Sequence, residues 1–160
     1  MGTYNREPVN AYGNCPRDEY TLTYPDYFLP ERYDKAVYVH SEFGHNRGEV
    51  RVVDTSVLVT YDTDNNAQVR FRGAMELYVE RRVNGGESGS IFARDNGSAQ
   101  GPPIGLLFAA SRRTFESGTT VNVAYAHPMK TVREVMEAYF SDSQNRTSTT
   151  FAQGCYAPNP

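Results

Sequence analysis

Seven short segments rich in β-branched and aromatic residues follow one another from residue 35 to residue 127. Gly, Asn, Asp and Pro residues separate them, as turns separate strands. The segments read KAVYVHSE, EVRVVDTSVLVTYDT, AQVRFRG, MELYVERRV, SGSIFAR, IGLLFAAS and TTVNVAYAH. Strands spaced so closely leave no room for crossover helices between them. The pattern therefore predicts a mainly β chain whose strands pair antiparallel, in a sandwich or a barrel.

One hairpin can be registered from the sequence AQVRFRGAMELYVE. Side chains alternate along a strand, so apolar residues of one strand must oppose apolar residues of its neighbour. A three-residue loop at Arg72-Gly73-Ala74 places Phe71 opposite Met75, and Arg70 opposite Glu76 on the wet face. The sequence therefore predicts a tight hairpin centred on Gly73.

The segment KTVREVMEAYFSD differs from the rest, because its apolar residues recur at steps of three and four. Those residues are Val132, Val135, Met136, Tyr139 and Phe140. Thr131 and Glu134 have the spacing of a capping box, which marks a helix start. We predict one amphipathic helix over residues 131–141.

The first 34 residues have another character, being rich in Tyr, Asn and Pro. We interpret residues 1–34 as an extended arm and residues 35–160 as a single β domain, which is the usual domain count at this length. Tyrosine suits contact surfaces because its ring is large and rigid and its tip is polar. The arm is therefore a candidate surface for a protein or glycan partner, or for a second copy of the chain; alternatively, its rings seal the β domain. The candidate contact residues are Tyr24, Tyr27, Phe28 and Tyr33.

Charge and hydropathy exclude two classes of function. The formal net charge is −3 and neither end carries a run of Lys and Arg, which makes nucleic acid an unlikely partner. No apolar run approaches the roughly 18 residues of a membrane-spanning helix.

Two cysteines lie near opposite ends of the chain, Cys15 and Cys155. A disulfide between them would clasp the two ends of the folded region, and two separate free thiols are the alternative. Asn96 and Asn145 begin tripeptides that match the glycosylation acceptor pattern. Together these features favour an extracellular or surface-exposed protein.

Catalytic motifs are scarce. The sequence contains no G-x-S-x-G elbow and no C-x-x-C pair. On a strand that includes residues 37–42, His40 and Glu42 share a face about 7 Å apart. With His45 and His127 they would make a set of ligands for a divalent transition metal such as zinc or iron. The alternative is a half-exposed strand end followed by a polar turn, with no cofactor.

This set of His40, Glu42, His45 and His127 resembles the ligand set of the cupins, double-stranded β-barrels that hold a metal with histidines and a glutamate. The order and spacing differ, because cupins begin the motif with H-x-H and place the glutamate downstream. The resemblance implies a metalloenzyme.

A second resemblance lies in RRVNGGE and FESGTTVNVAYAH, which are similar to strands of the tumour-necrosis-factor-like and complement-head jelly rolls and of viral fibre heads. It implies a jelly-roll-like sandwich of about eight strands that assembles with copies of itself.

The function that we predict from the sequence is non-catalytic. We expect an extracellular or virion-surface β-domain that binds a partner or self-assembles. A cupin-like metalloenzyme is the first alternative, and a lipocalin-like barrel carrying a small apolar ligand is the second.

Overall fold

The computed structural model describes residues 23–24, 29–42, 44–62, 67–95, 101–144 and 151–152. A first short strand, β1 (Thr23–Tyr24), pairs with the last, β8 (Phe151–Ala152). Six longer strands and one helix lie between them. They are β2 (Lys35–His40), β3 (Gly44–Asp62), β4 (Ala67–Val79), β5 (Ile91–Arg94), β6 (Pro103–Thr114), β7 (Thr120–Pro128) and α1 (Met129–Gln144). The prediction of a mainly β, antiparallel chain is confirmed.

The six longer strands close into a barrel in the order β2-β3-β4-β7-β6-β5. Closure comes from β5, which pairs with β2 at Ala36↔Arg94 and Val37↔Ala93. The predicted jelly-roll-like sandwich of eight strands is therefore not confirmed. Alternation could not separate the two architectures, because a sandwich and a barrel both direct every second side chain into one core.

Large apolar side chains fill the barrel interior, and each of them is almost completely buried. They include Tyr38, Met75, Leu77, Phe92, Ile104 and Leu107. Gly105 lies against them, and a Cβ atom at that position would force the end of the Met75 side chain to shift, since it would lie 2.3 Å from Met75 Cε. Burial of these side chains is the main source of the barrel's stability.

The predicted hairpin at Gly73 is wrong, because Phe71 and Met75 lie on the same strand, β4. Phe71 pairs instead with Val57 of β3. Between this pair and the next one, β4 contributes one residue more than β3, and Gly73 has φ 67°. A glycine with positive φ serves a β-bulge as well as a loop, so the local sequence could not distinguish them.

Beyond the bulge, β3 and β4 continue as a two-stranded extension, which we call the distal ribbon (residues 53–62 and 67–73). β7 pairs with β4 only from Met75 to Val79, so it does not cover the ribbon. Four described residues of the ribbon are unusually exposed for apolar residues: Val53 at 42%, Leu58 at 51%, Tyr61 at 62% and Val69 at 45%.

Helix α1 confirms the predicted helix and begins two residues earlier, directly after β7. Met129 is 1% exposed and anchors the start, so Thr131 lies inside the helix and does not cap it. The predicted apolar stripe is narrower than expected, because Val135 is 64% exposed. The helix packs against β6 and β7. In the described part of the chain, no helix is both long enough and apolar enough to cross a membrane.

The end of the predicted arm is hydrogen-bonded to the barrel. Tyr33 N donates to Val50 O at 2.7 Å, and Val50 N donates to Asp34 O at 2.9 Å. Tyr33 has a φ of 77°, which is uncommon outside glycine. Most of the arm lies outside the described residues, including Tyr27 and Phe28, and only the backbone of Tyr24 is described.

Both cysteines also lie outside the described residues. The disulfide between Cys15 and Cys155 therefore stays a prediction.

Candidate functional site

A glycine-rich turn connects β4 to β5 and holds an exposed serine near its tip. We call residues 84–90 the Ser88 turn. Gly86 has a φ of 91° and Gly89 a φ of 93°, values that side-chain-bearing residues rarely adopt. The turn is fastened to β6, because Gly89 N donates to Leu107 O at 2.7 Å and Leu107 N donates to Ser90 O at 2.9 Å. The serine is thus presented on a tightly constrained backbone.

Directly before Ser88, the Glu87 side chain turns inward and is almost fully buried, with 6% exposed. Its Oε1 atom accepts hydrogen bonds from Ser41 N at 2.9 Å and from Ser41 Oγ at 2.7 Å. Its Oε2 atom accepts from Tyr38 OH at 2.8 Å and from Asn84 N at 3.0 Å. A buried carboxylate without such donors would be strongly destabilising.

These donors keep Glu87 ionised. Burial raises the pKa of Glu87, but the hydrogen bonds from Ser41 outweigh it, with further help from Asn84 and Tyr38, and the pKa ends below its usual value. Burial, together with the neighbouring carboxylate, raises the pKa of Tyr38, although a hydrogen bond from Asn46 partly opposes the rise. At neutral pH, therefore, a protonated tyrosine donates to a charged glutamate.

The same cluster includes His40, which is 2% exposed. Its Nε2 lies 3.0 Å from Arg82 O, and Glu42 N donates to its Nδ1 at 3.1 Å. A carbonyl can only accept, so the geometry places a proton on Nε2. Both ring nitrogens are used within the protein, which leaves neither for a metal.

The structure does not bring the four predicted metal ligands together. β2 ends at His40, so Glu42 lies in the following turn and does not share a strand face with it. His45 is exposed on β3 opposite Val39, and His127 belongs to an aromatic cluster on β7. In the described part of the chain, no group of three or more His, Cys, Asp or Glu side chains could hold a metal ion.

The aromatic cluster adjoins Ser88. Ser88 Oγ makes a long hydrogen bond of 3.5 Å to Phe108 O. Phe108 is the extra residue of a bulge in β6, between the pairs Leu107↔Ala126 and Ala109↔Tyr125. The ring of Phe108 stacks on His127, with centroids 4.3 Å apart, and lies 4.7 Å from the ring of Phe71. Burial lowers the pKa of His127, so this ring is neutral at pH 7.

Two backbone amides of the Ser88 turn have no hydrogen-bond acceptor in the part of the chain that the structure describes. Within the described residues, neither Gly86 N–H nor Ser88 N–H donates a hydrogen bond. Unused amides beside a hydroxyl form an arrangement that can bind negative charge on an oxygen atom.

Sequence reasoning missed this site because it sought the G-x-S-x-G spacing. Gly86-Glu87-Ser88-Gly89 brings the second glycine one position closer to the serine. The available signal was the acid–serine pair bracketed by glycines. Burial of the acid depends on Tyr38 and Ser41, which no local pattern connects to it.

Of the predicted contact residues, Tyr33 is the one whose side chain is described, and it is 53% exposed. Arg32 lies 4.8 Å from the centre of its ring, and Arg51 lies 5.2 Å from it. Arg51 also lies 5.0 Å from the Tyr78 ring, so cation–π contacts join the end of the arm to β3 and β4.

No family model matches the sequence, and the comparison with curated proteins finds no match. Among solved structures, the chain is similar to the crystal structure of Cellulomonas bogoriensis chymotrypsin, with 18% sequence identity and a TM-score of 0.48. The similarity covers 71% of this chain and 51% of that one. The chain therefore spans about half the length of that structure.

Proposed function

We propose that the barrel carries the nucleophile and the oxyanion-binding amides of a serine hydrolase at Ser88. The observation that carries this proposal is the turn itself. An exposed hydroxyl stands between two positive-φ glycines, Gly86 and Gly89. The amides of Gly86 and Ser88 are unused within the described residues. Amides placed in this way stabilise the negative charge that develops during acyl transfer.

The chemistry requires a base. Ser88 Oγ would attack the carbonyl carbon of an acyl donor, form a C–O bond and expel the leaving group after losing its proton. No described side chain accepts a hydrogen bond from Ser88 Oγ, whose recorded partner is the carbonyl of Phe108. We therefore restrict the proposal to the nucleophile and the oxyanion-binding amides, and the labelling experiment supplies the base from solution.

The neighbouring edge of β6 indicates the class of acyl donor. β5 pairs with β6 only as far as Leu106, and the Ser88 turn bonds to Leu107. Beyond Leu107, no described strand pairs with this edge. An extended peptide can add to such an edge by backbone hydrogen bonds alongside Phe108 and Ala109. The proposed substrates are peptides or peptide-like esters.

Covalent labelling tests the proposal. The chain is treated with a fluorophosphonate, with and without imidazole as a soluble base. Ser88 Oγ forms the bond to phosphorus, fluoride leaves, and the base takes the proton. We expect one adduct, mapped to Ser88 by peptide mass spectrometry, and faster labelling with imidazole. Ser88→Ala should lose the adduct, and Ser90→Ala should keep it.

The exposed Ser117 provides an internal reference for ordinary serine reactivity. Labelling of Ser88 that is no faster than labelling of Ser117, with imidazole present, would refute the proposal. The substrate class has its own comparison. A dipeptide p-nitrophenyl ester should acylate Ser88 faster than p-nitrophenyl acetate does, and equal rates would rule out peptide pairing along β6.

A second candidate function is the non-catalytic one, a surface-exposed β-domain that binds a partner or self-assembles. The distal ribbon favours it, because Leu58 and Tyr61 leave more than half of their side-chain surface exposed. Light scattering over a range of concentrations tests self-assembly. Association should be lost in Leu58→Asp and kept in Val135→Asp, which alters an apolar residue of α1 that is 64% exposed. A strict monomer would count against self-assembly.

The extracellular location belongs to the same candidate and depends on the cysteines. We propose that Cys15 and Cys155 form a disulfide in an oxidising compartment. Intact mass before and after reduction tests it. Formation of the bond lowers the mass by two hydrogens, and two free thiols in oxidised preparations would contradict the proposal.

A further inference from the structure

Two side chains from the β2 region donate hydrogen bonds to the buried carboxylate of Glu87. Tyr38 reaches it from the core, and Ser41 reaches it from the turn after β2. Hydrogen bonds to a charged acceptor are stronger than those between neutral groups. Because the carboxylate is also buried, its charge would be strongly destabilising without these hydrogen-bond donors.

We propose that Tyr38 and Ser41 are positioning residues for Ser88, acting through Glu87 to hold the Ser88 turn in its oxyanion-binding conformation. This inference rests on the proposed function of Ser88.

The backbone of the turn explains why an anchor is needed. Glu87 lies between Gly86 and Ser88, whose amides donate no hydrogen bond to any described residue. Glycine adopts positive and negative φ with little preference, so Gly86 and Gly89 alone do not select one conformation. Fixing the Glu87 side chain fixes the peptide units on both sides of it. The turn also uses Glu87 O, which accepts from Ser90 N at 3.0 Å.

The donors are themselves held in place, as a positioning role requires. The Tyr38 ring packs edge-on against Phe92, with centroids 4.9 Å apart. Asn46 Nδ2 donates to Tyr38 OH at 3.0 Å. Asn46 also makes two hydrogen bonds with the Arg81 backbone. Its Nδ2 donates to Arg81 O at 3.0 Å, and Arg81 N donates to its Oδ1 at 3.0 Å. The tyrosine hydroxyl therefore has one position and one acceptor.

Two readouts on the same variants test the inference. Tyr38→Phe and Ser41→Ala each remove a donor to Glu87. The first readout is hydrogen exchange of the Gly89 and Ser90 amides, which should be at least about tenfold faster in each variant. The second is the rate of fluorophosphonate labelling of Ser88, which should fall by a similar factor. Ser41→Thr keeps a hydroxyl and should restore both.

Matched controls separate positioning from loss of stability. Tyr125→Phe and Ser117→Ala remove hydroxyls that bond elsewhere, to Ser111 and Thr119. Both controls should leave exchange and labelling at the wild-type level. In the test variants, exchange of the Leu77 amide in the core reports any loss of global stability, and exchange of the Gly89 and Ser90 amides should accelerate by a larger factor than exchange of the Leu77 amide.

Each outcome has a distinct meaning. Unchanged exchange in Tyr38→Phe and Ser41→Ala overturns the positioning role, whatever the labelling shows. Faster exchange with unchanged labelling of Ser88 also overturns it, because the turn would then be loosened without consequence. If wild-type Ser88 is not labelled at all, the proposed hydrolase function fails, and with it the role that we assign to Tyr38 and Ser41.

Discussion

Ser41 and Glu87 are 46 positions apart in the chain and are joined by two hydrogen bonds to one carboxylate oxygen, of 2.7 and 2.9 Å. One comes from the hydroxyl and the other from the backbone amide of the serine. Because of this pair, the end of β2 and the Ser88 turn hold each other in place. The conformation of the turn therefore depends on a contact with β2 as well as on the turn itself.

The two adjacent glycines of the turn should respond differently to alanine. Gly86 has a φ of 91°, whereas Gly85 has no positive φ, and an added Cβ would meet no atom within 4 Å at either position. We expect Gly86→Ala to lower the free energy of unfolding by about 1–2 kcal/mol because of backbone strain. Gly85→Ala should change it by less than about 0.5 kcal/mol. Urea unfolding measures both, and equal effects would contradict the assigned backbone.

Glu87 should make the protein less stable in acid. Its pKa in the folded protein lies below the ordinary value of 4.5, so the unfolded chain binds the proton more readily. The stabilisation is fully present above pH 4.5 and is lost as the pH falls through the lower pKa of the folded state. Urea unfolding between pH 2 and 6 should show a steeper decline for wild type than for Glu87→Gln. Parallel curves would show that the carboxylate has no depressed pKa.

His127 should have an effect at higher pH. Burial lowers its pKa below 6.5, so the unfolded chain again binds the proton first as the pH falls. Stability contributed by neutral His127 is full above 6.5 and declines as the pH drops through that value. His127→Phe keeps a ring against Phe108 and should reduce the slope between pH 5 and 7. The same slope in both proteins would contradict the burial effect.

The ion pair of Arg113 and Glu76 should matter more than an ordinary surface pair. Arg113 donates to both Glu76 oxygens, at 2.8 and 2.9 Å, and Glu76 is only 5% exposed. Arg113→Met leaves the buried carboxylate without this partner and should cost about 1–3 kcal/mol. Adding Glu76→Leu should recover part of the loss, because no buried charge then remains. A double variant less stable than Arg113→Met would show that the pair is not coupled in this way.

Alternation and turn residues were enough to predict an antiparallel β chain, and the three- and four-residue steps were enough to predict α1. Both patterns are local, because they report which side of an element faces the core. These local patterns could not predict that the sheet closes into a barrel. Closure depends on β5 meeting β2, and those strands are separated by more than 50 positions, from Val37 to Ala93.

For the candidate sites, too, the sequence indicated the residue types but not which residues meet in space. His40, Glu42, His45 and His127 were chosen for their chemistry, but folding placed His40 among Arg82, Glu42 and Glu87 and placed His127 against Phe108. Proximity in sequence did not produce proximity in space. Ser88 has only a weak sequence signal, because its motif is short and the residue before it is a charged glutamate whose burial no local pattern predicts.

By itself, the sequence determined the secondary structure class, the single amphipathic helix and the glycines that permit tight turns, because these depend on neighbouring residues. Only the tertiary structure decided that the strands close into a barrel, that Gly73 is a bulge, and that Glu87 is buried beneath Ser88. The physical reason is that a buried charge is tolerated only beside its donors. Those donors, Tyr38 and Ser41, lie 49 and 46 positions away in the chain, so only the tertiary structure brings them to Glu87.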